Sequence, residues 1–291
     1  MASAAERLPE NAPGDFFVDR TCIDCDACRR IAPEVFEEGR GHSFVRAQPV
    51  DEDGRRRALM ALVACPTSSI GTVSRTNASA AAAAFPETVD ENVSFCGFTA
   101  ESSFGAWSYF VERPDGNVLV DSPRAAGPLL NALAARGGVR TLFLTHRDDV
   151  ADHAALHARF GCERVLHEDD VTAGTRGIER RIAGPDPVAL ADDLLVIPTP
   201  GHTRGHAVLL YRGKYLFTGD HLAWSRRRGR LVAFRDACWY SWEEQIRSME
   251  RLLDFSFEWV LPGHGGWHRA ESPVAMRLAV EQCIAAMRRA A

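Results

Sequence analysis

The stretch Thr141-Leu142-Phe143-Leu144-Thr145-His146-Arg147-Asp148-Asp149-Val150-Ala151-Asp152-His153 decides how the chain is read. Its first four residues form an apolar run, which predicts a short buried strand. His146, Asp148, Asp149, Asp152 and His153 then crowd the end of that strand. So many polar side chains are costly to bury unpaired, and metal coordination is the commonest way to satisfy them.

Three later motifs supply further ligands, each where a strand-like run meets a loop. They are Thr199-Pro200-Gly201-His202-Thr203, Phe217-Thr218-Gly219-Asp220 and Leu261-Pro262-Gly263-His264-Gly265. A glycine ahead of each ligand lets the backbone turn and approach closely. Loops at one edge of a layered fold can aim several ligands at one point. From Val93 onward strand-like and helix-like stretches interleave. The runs 106–111, 117–120, 164–166, 194–197, 207–211 and 215–217 read as strands, and 125–135, 151–160, 242–253 and 273–289 as helices. That pattern fits a layered α/β sandwich. No G-x-G-x-x-G or Walker loop supports a nucleotide fold.

Upstream, Cys22, Cys25 and Cys28 repeat every three residues, and Cys65-Pro66 follows much later. Such a loop can wrap three thiolates around one face of an iron–sulfur cluster, with Cys65 as the distant fourth ligand. Residues 16–18 read as a strand, 55–64 as a helix that delivers Cys65, and 70–73 as a return strand. The bland alternative is a four-cysteine zinc site, although those usually use two separated C-x-x-C pairs. The Ser/Ala-rich stretch 74–90 then reads as a linker, or as a short helix over its alanines.

The chain has 291 residues and a net charge of -5, with one lysine, Lys214, among 34 Lys and Arg residues. No strong basic field draws it to nucleic acid or anionic membrane. No basic-then-apolar leader is visible at the start, and no apolar run approaches the ~20 residues that span a bilayer. A cytoplasmic protein with reduced cysteines is expected, without nucleic-acid or membrane partners.

Two resemblances follow from these residues. Cys22, Cys25, Cys28, the segment Ile31-Ala32-Pro33-Glu34-Val35-Phe36 and Cys65-Pro66 resemble a single-cluster bacterial ferredoxin, which implies a [4Fe–4S] cluster, or a [3Fe–4S] form after loss of one iron. The downstream motifs look like the metallo-β-lactamase-fold superfamily, with its H-x-H-x-D-H, G-H, G-D and late G-H. The expected fold class is therefore α+β: a small N-terminal ferredoxin-like domain (1–78), a linker (79–91) and an αββα sandwich (92–291). The superfamily pattern implies one metal on His146, Asp148 and His202, a second on Asp152, His153 and His264, and Asp220 bridging them. Asp152 would also orient the attacking water, and Asp121 matches an early aspartate that is usually structural. The divalent metals would be zinc, iron or manganese. Plant and bacterial proteins that join a ferredoxin-like segment to this fold carry a similar 144–153 stretch.

Two departures stand out. Asp148 replaces the second histidine of the first motif, and two extra residues precede Asp152-His153. Asp148 or Asp149 could instead cap the helix expected from Ala151. His206 and His221 flank ligands and read as supporting residues, while His157 and His167 read as surface residues. Cys96, Cys162, Cys238 and Cys283 read as buried thiols, and Arg226-Arg227-Arg228 as a solvated loop or an anion-holding one. The expected function is hydrolysis of a small ester, thioester or lactone-like substrate, with water activated on the metal. The alternative is a redox enzyme in which the cluster passes electrons to an iron site, as the resemblance to flavodiiron proteins and persulfide dioxygenases implies. A redox partner protein would then join the small-molecule substrate. A regulated hydrolase with a sensing or structural cluster, and a non-catalytic electron-transfer protein, are further options.

Overall fold

The computed structural model describes residues 2–290. It forms two compact units: residues up to Arg140 together with Ala151–Cys162, and Thr141–Val150 together with Glu163 onward.

In the first unit, Phe16–Val18 pairs antiparallel with Ile70–Thr72, and the hairpin Phe36–Glu38/Ser43–Val45 lies between them in sequence. Phe16, Phe17 and Val18 are all buried. The helix Glu52–Ala64 starts on Asp51, whose carboxylate accepts from the Gly54 amide at 2.7 Å. This cap satisfies an amide that the first turn leaves without a helical partner. Its Ala58, Met60, Ala61 and Ala64 are buried, spaced as one helical face requires. Cys65 occupies its C-cap. Buried Asn11 ties the small segments together: it donates to the Leu8 and Val18 carbonyls and accepts from the Val18 and Val45 amides.

The stretch read as a linker carries a short helix, Ser79–Ala83, and a strand, Glu87–Asp90. That strand opens an antiparallel meander with Val93–Phe95, Tyr109–Val111 and Val118–Val120. Trp107 stacks on Phe95 at 3.9 Å beneath it. The helices Gly127–Ala135 and His153–Phe160 complete the unit.

The second unit begins with Thr141–Phe143, parallel to Glu163–His167, which is parallel to Arg180–Ile182. Its main sheet has six strands in the order Val188–Ala191, Leu194–Pro198, Ala207–Tyr211, Tyr215–Gly219, Trp259–Pro262, His268–Arg269. One face of this sheet packs on the helices Trp242–Arg251 and Pro273–Arg289 through Ile197, Val208, Leu216, Val260, Met249, Val280 and Ile284. Strands 194–198, 215–219 and 259–262 run the same way. Their C-terminal ends therefore meet at one edge, where open α/β sheets place their ligands.

His167 is buried, not a surface residue. Its Nε2 lies 3.1 Å from the Gly184 carbonyl and its Nδ1 accepts from the Asp169 amide. No helix among the described residues is long and apolar enough to cross a membrane.

Candidate metal centre and cysteine pocket

The sheet edge of the second unit gathers five of the expected ligands. His146 and Asp148 leave the Thr141–Phe143 strand, which is held on both sides. Leu144 N–H donates to Val165 O at 2.9 Å, and Thr145 O accepts from Ala207 N–H at 2.9 Å. Asp220 and His264 leave neighbouring parallel strands, and the Gly263 amide donates to Gly219 O at 2.8 Å. His202 sits in a turn pressed against the helix 242–251. A Cβ on Gly201 would lie 2.4 Å from the Gln245 Cβ, so no other residue fits there.

The donor atoms converge. His202 Nε2 lies 3.5 Å from Asp148 Oδ2 and 3.7 Å from Asp220 Oδ2. His146 Nε2 lies 3.9 Å from Asp148 Oδ2 and 3.8 Å from Asp220 Oδ2. Tetrahedral ligands about 2.0–2.1 Å from a zinc stand roughly 3.4 Å apart. These four separations are slightly longer than that, and His146, Asp148 and His202 form one candidate triad. His264 Nε2 reaches the same Asp220 Oδ2 at 3.8 Å, from the side of the later strand.

Burial makes this arrangement expensive without a cation. His146 and His202 are almost wholly buried, and His146 Nε2, both His202 nitrogens and Asp220 Oδ1 have no hydrogen-bond partner among the described residues. Each such group costs about 1–3 kcal/mol. Burial holds the His146 pKa down to about 4, so its imidazole is neutral and its lone pair available. Burial would raise the Asp220 carboxyl, but the adjacent His264, His146 and His202 outweigh it and hold it low. His202, 3.5 Å away, likewise holds Asp148 below the usual carboxylate range. Neutral imidazoles and ionised carboxylates are the forms that bind metal. The set contains nitrogen and oxygen donors without a thiolate, which suits zinc, iron or manganese.

Two aspartates outside the expected ligand set, Asp149 and Asp170, support the site. Asp149, a candidate helix cap by its position, is buried, and one of its oxygens lies within 4.8 Å of a donor on His146 and another on Asp220. A Cβ on Gly263 would come within 2.8 Å of Asp149 Oδ2 and 3.0 Å of Asp220 Oδ1. Only glycine lets this backbone pass the two carboxylates. Buried Asp170 joins two ligand loops. Its carboxylate accepts from the Arg147 amide (3.0 Å), the Thr203 hydroxyl (2.5 Å) and the Gly205 amide (2.8 Å). It locks the loop of His146 and Asp148 to that of His202. Nothing in its local sequence marks it, since its partners are distant in the chain.

The helix expected from Ala151 begins at His153, with Asp152 at the N-cap position. Asp152 and His153 belong to the first unit. There Asp152 Oδ2 accepts from the Ala125 amide at 2.8 Å, and His153 is buried. Asp121, also there, is buried at φ 57, a backbone state most side chains avoid. His206 and His221 are buried and their rings stack at 5.4 Å. Thr199 Oγ1 lies 2.9 Å from His206 Nδ1. Around the mouth stand exposed aromatics. The Trp239 and Tyr240 amides both donate to His202 O, and the Trp239 ring lies 6.2 Å from the His202 ring. Trp267 follows His264 and is partly exposed. Arg226, Arg227 and Arg228 form the tip of the hairpin Ala223–Ser225/Arg230–Val232, whose Trp224 pairs with Gly266.

In the first unit, Cys22, Cys25, Cys28 and Cys65 line one cavity with Val18, Ile23 and Ile70. Asp24 and Asp26 take left-handed φ values of 61° and 70° on either side of Cys25 and reverse the loop there. Arg29 binds both carboxylates, at 2.6 and 2.8 Å, and fixes that loop. The Ser43 and Ser69 amides donate to Cys22 and Cys65 Sγ, each at 3.3 Å. Burial pushes the Cys25 thiol up to about 12 and raises Cys22 and Cys28 as well. Thiolates in this apolar pocket need a cation beside them. Four sulfurs on one cavity, with amides aimed at two of them, fit an iron–sulfur cluster. None of the other four cysteines forms a disulfide among the described residues. Cys96, Cys162 and Cys283 are buried, and half-buried Cys238 donates to Gly201 O.

Residues 103–264, more than half of the chain, match the family model described as the metallo-beta-lactamase superfamily. The chain belongs to that superfamily. Residues 18–72 match a second family, the 4Fe-4S single cluster domain of Ferredoxin I. Among curated relatives, the hydroxyacylglutathione hydrolase of Rhizobium etli is 38% identical over 35% of this chain and 41% of its own length. That of Fuscovulum blasticum is 40% identical over 36% and 42%. The chain thus spans about two fifths of the length of these two relatives. Among solved structures, DIM-1 metallo-beta-lactamase superposes with a TM-score of 0.51 at 17% identity, covering 67% of this chain and 96% of that one. That likeness shows the metallo-β-lactamase-type fold, and the match over residues 18–72 shows the ferredoxin-like segment.

Proposed function

We propose that this superfamily member is a metal-dependent hydrolase acting on a small ester, thioester or lactone-like substrate, with a fused [4Fe–4S] cluster. The observation that carries the reading is the ring of His146, Asp148, His202 and Asp220, whose donor atoms stand 3.5–3.9 Å apart. His146 and His202 present imidazole nitrogens to one point. Asp220, within 3.8 Å of His264 as well, presents its carboxylate between them. A divalent ion held there supplies Lewis acidity and lowers the pKa of water. Asp148, about half-exposed, would be the ligand of that ion most open to solvent. Trp239, Tyr240 and Trp267 offer flat apolar surface to an acyl group. The partial relatives named as hydroxyacylglutathione hydrolases favour a thioester within this class.

The test is metal analysis of protein purified without oxygen, paired with turnover of acyl-glutathione and lactone substrates. About four irons per chain together with zinc, and thioester or lactone cleavage, is the expected result. Asp220→Ala should release the second unit's metal and lower kcat/KM by about a hundredfold or more, leaving the cluster absorption intact. Full metal retention in that variant overturns the assignment.

One feature favours a second reading, an iron oxidoreductase. Asp148 stands where the superfamily pattern has histidine, and a cysteine pocket lies upstream. About six irons and no zinc, with no hydrolysis, would select it.

A further inference from the structure

The cysteine pocket is built into the first unit, not hung from it. The helix Glu52–Ala64 ends at Cys65, and a helix end leaves its last carbonyls without partners. Here two later loops supply them. Arg124 Nη2 donates to Val63 O at 2.9 Å and to Cys65 O at 3.3 Å, and Thr99 Oγ1 donates to Ala64 O at 2.7 Å. Arg124 Nε donates to Thr99 O at 2.7 Å, and its amide to Phe98 O at 2.8 Å. The guanidinium is thereby fixed against the turn that carries Cys65. The next residue grips the other side, since the Ala125 amide donates to Asp152 Oδ2 at 2.8 Å. Asp152 is the carboxylate that the superfamily resemblance sets beside the reacting water. Arg124 thus stands between the Cys65 carbonyl that its guanidinium holds and the Asp152 carboxylate that its neighbour holds.

We propose that Arg124 is a positioning residue that couples the charge state of the cluster held by Cys65 to Asp152. The chain around it provides the means: adjacent residues, 124 and 125, hold the cluster ligand's backbone with one and the carboxylate with the other. An electron added at the cluster changes the field at Asp152 through a half-buried path, where charges interact more strongly than in bulk water. Coupling of this kind is reciprocal. The charge on Asp152 therefore sets part of the cluster's affinity for an electron. The inference rests on the cluster reading and is independent of which bond the second unit breaks.

The experiment is a mediator titration of the intact, anaerobically purified chain, following the reduced cluster by electron paramagnetic resonance. Asp152→Asn removes a negative charge at an exposed site and keeps an acceptor for the Ala125 amide. It should raise the midpoint potential, increasing the reduced-to-oxidised ratio about threefold at the wild-type midpoint. Arg124→Gln should lower the potential, and Arg124→Lys should restore most of it. Asp115→Asn, an equal charge change in an exposed turn of the same unit, should leave it unmoved. A wild-type signal whose midpoint Asp152→Asn does not shift overturns the coupling and leaves the cluster reading standing. An equal shift in Asp115→Asn overturns the coupling too. A wild-type protein with neither cluster signal nor acid-labile sulfide overturns the cluster reading and the coupling with it. Asp152→Asn decides even if Arg124→Gln fails to assemble a cluster.

Discussion

Gly105 shows how a single hydrogen can be a requirement. Its φ is +81°, and a Cβ there would lie 2.6 Å from Cys25 Cβ and 2.8 Å from Cys25 Sγ. Strain and collision act together at a residue that backs a cluster ligand. Gly105→Ala is expected to cost about 1–3 kcal/mol and to displace Cys25. Visible absorption and acid-labile sulfide should fall well below wild type while the second unit keeps its metal. An unchanged cluster content would mean that the loop relaxes freely. At this scale the sequence is informative wherever one residue type has one chemistry. Cys22, Cys25, Cys28 and Cys65 are named as candidates from their spacing, and His146, His202, Asp220 and His264 from motifs that resemble the superfamily's. Asp149 and Asp170 are named by neither. Aspartate caps helices, closes turns and binds metals, and only tertiary neighbours select among these roles.

Among the elements, those with long apolar periods are legible and those of three residues are not. The periodicity of Pro273–Arg289 marks the helix to its ends, and Ala207–Tyr211 is equally plain as a strand. The hairpins Phe36–Glu38/Ser43–Val45 and Ala223–Ser225/Arg230–Val232 escape a sequence reading, because three residues carry too little pattern to establish a period of two. The strand Arg180–Ile182 escapes it for another reason: its first residues are charged. One ion pair helps to hold it. Glu179, just before it, takes two hydrogen bonds from the Arg164 guanidinium of the adjacent strand, at 3.0 and 2.6 Å, and one from the Arg164 amide at 2.8 Å. These bonds depress the Glu179 pKa to about 2 from 4.5. The folded value lies below the unfolded one, so the stabilisation is complete above pH about 4.5 and is lost as pH falls through about 2. Glu179→Gln should therefore unfold about 1 kcal/mol more easily at neutral pH. Its deficit should shrink as denaturant titrations are taken below pH 4. A deficit that stays constant to pH 2 would show that the charge is not its source.

For the whole molecule, the sequence suggests a cluster-bearing segment followed by a linker, because alanine and serine dominate residues 74–90. Composition cannot reveal where long-range contacts fall, and here they cross that stretch. Arg57 pairs with Glu87, which lies in a strand of the meander. Arg124 and Thr99 close the end of the helix that delivers Cys65, and Gly105 presses on Cys25. A fragment of residues 1–78 would keep all four cysteines but lose every one of those partners. Three carbonyls at the end of the 52–64 helix would lose side-chain donors, and solvent would reach the back of the cysteine loop. Each net hydrogen bond lost costs about 1 kcal/mol, a large share of what a domain this small can hold. The fragment should therefore lose its cluster at a lower temperature than the intact chain. Heating the intact chain should bleach the cluster in the same transition that unfolds the meander. Anaerobic melts followed at the cluster absorption and by far-ultraviolet circular dichroism would check both. A fragment that holds its cluster to the same temperature would show that the ferredoxin-like segment is autonomous and that the contacts from residues 87–124 add nothing to it.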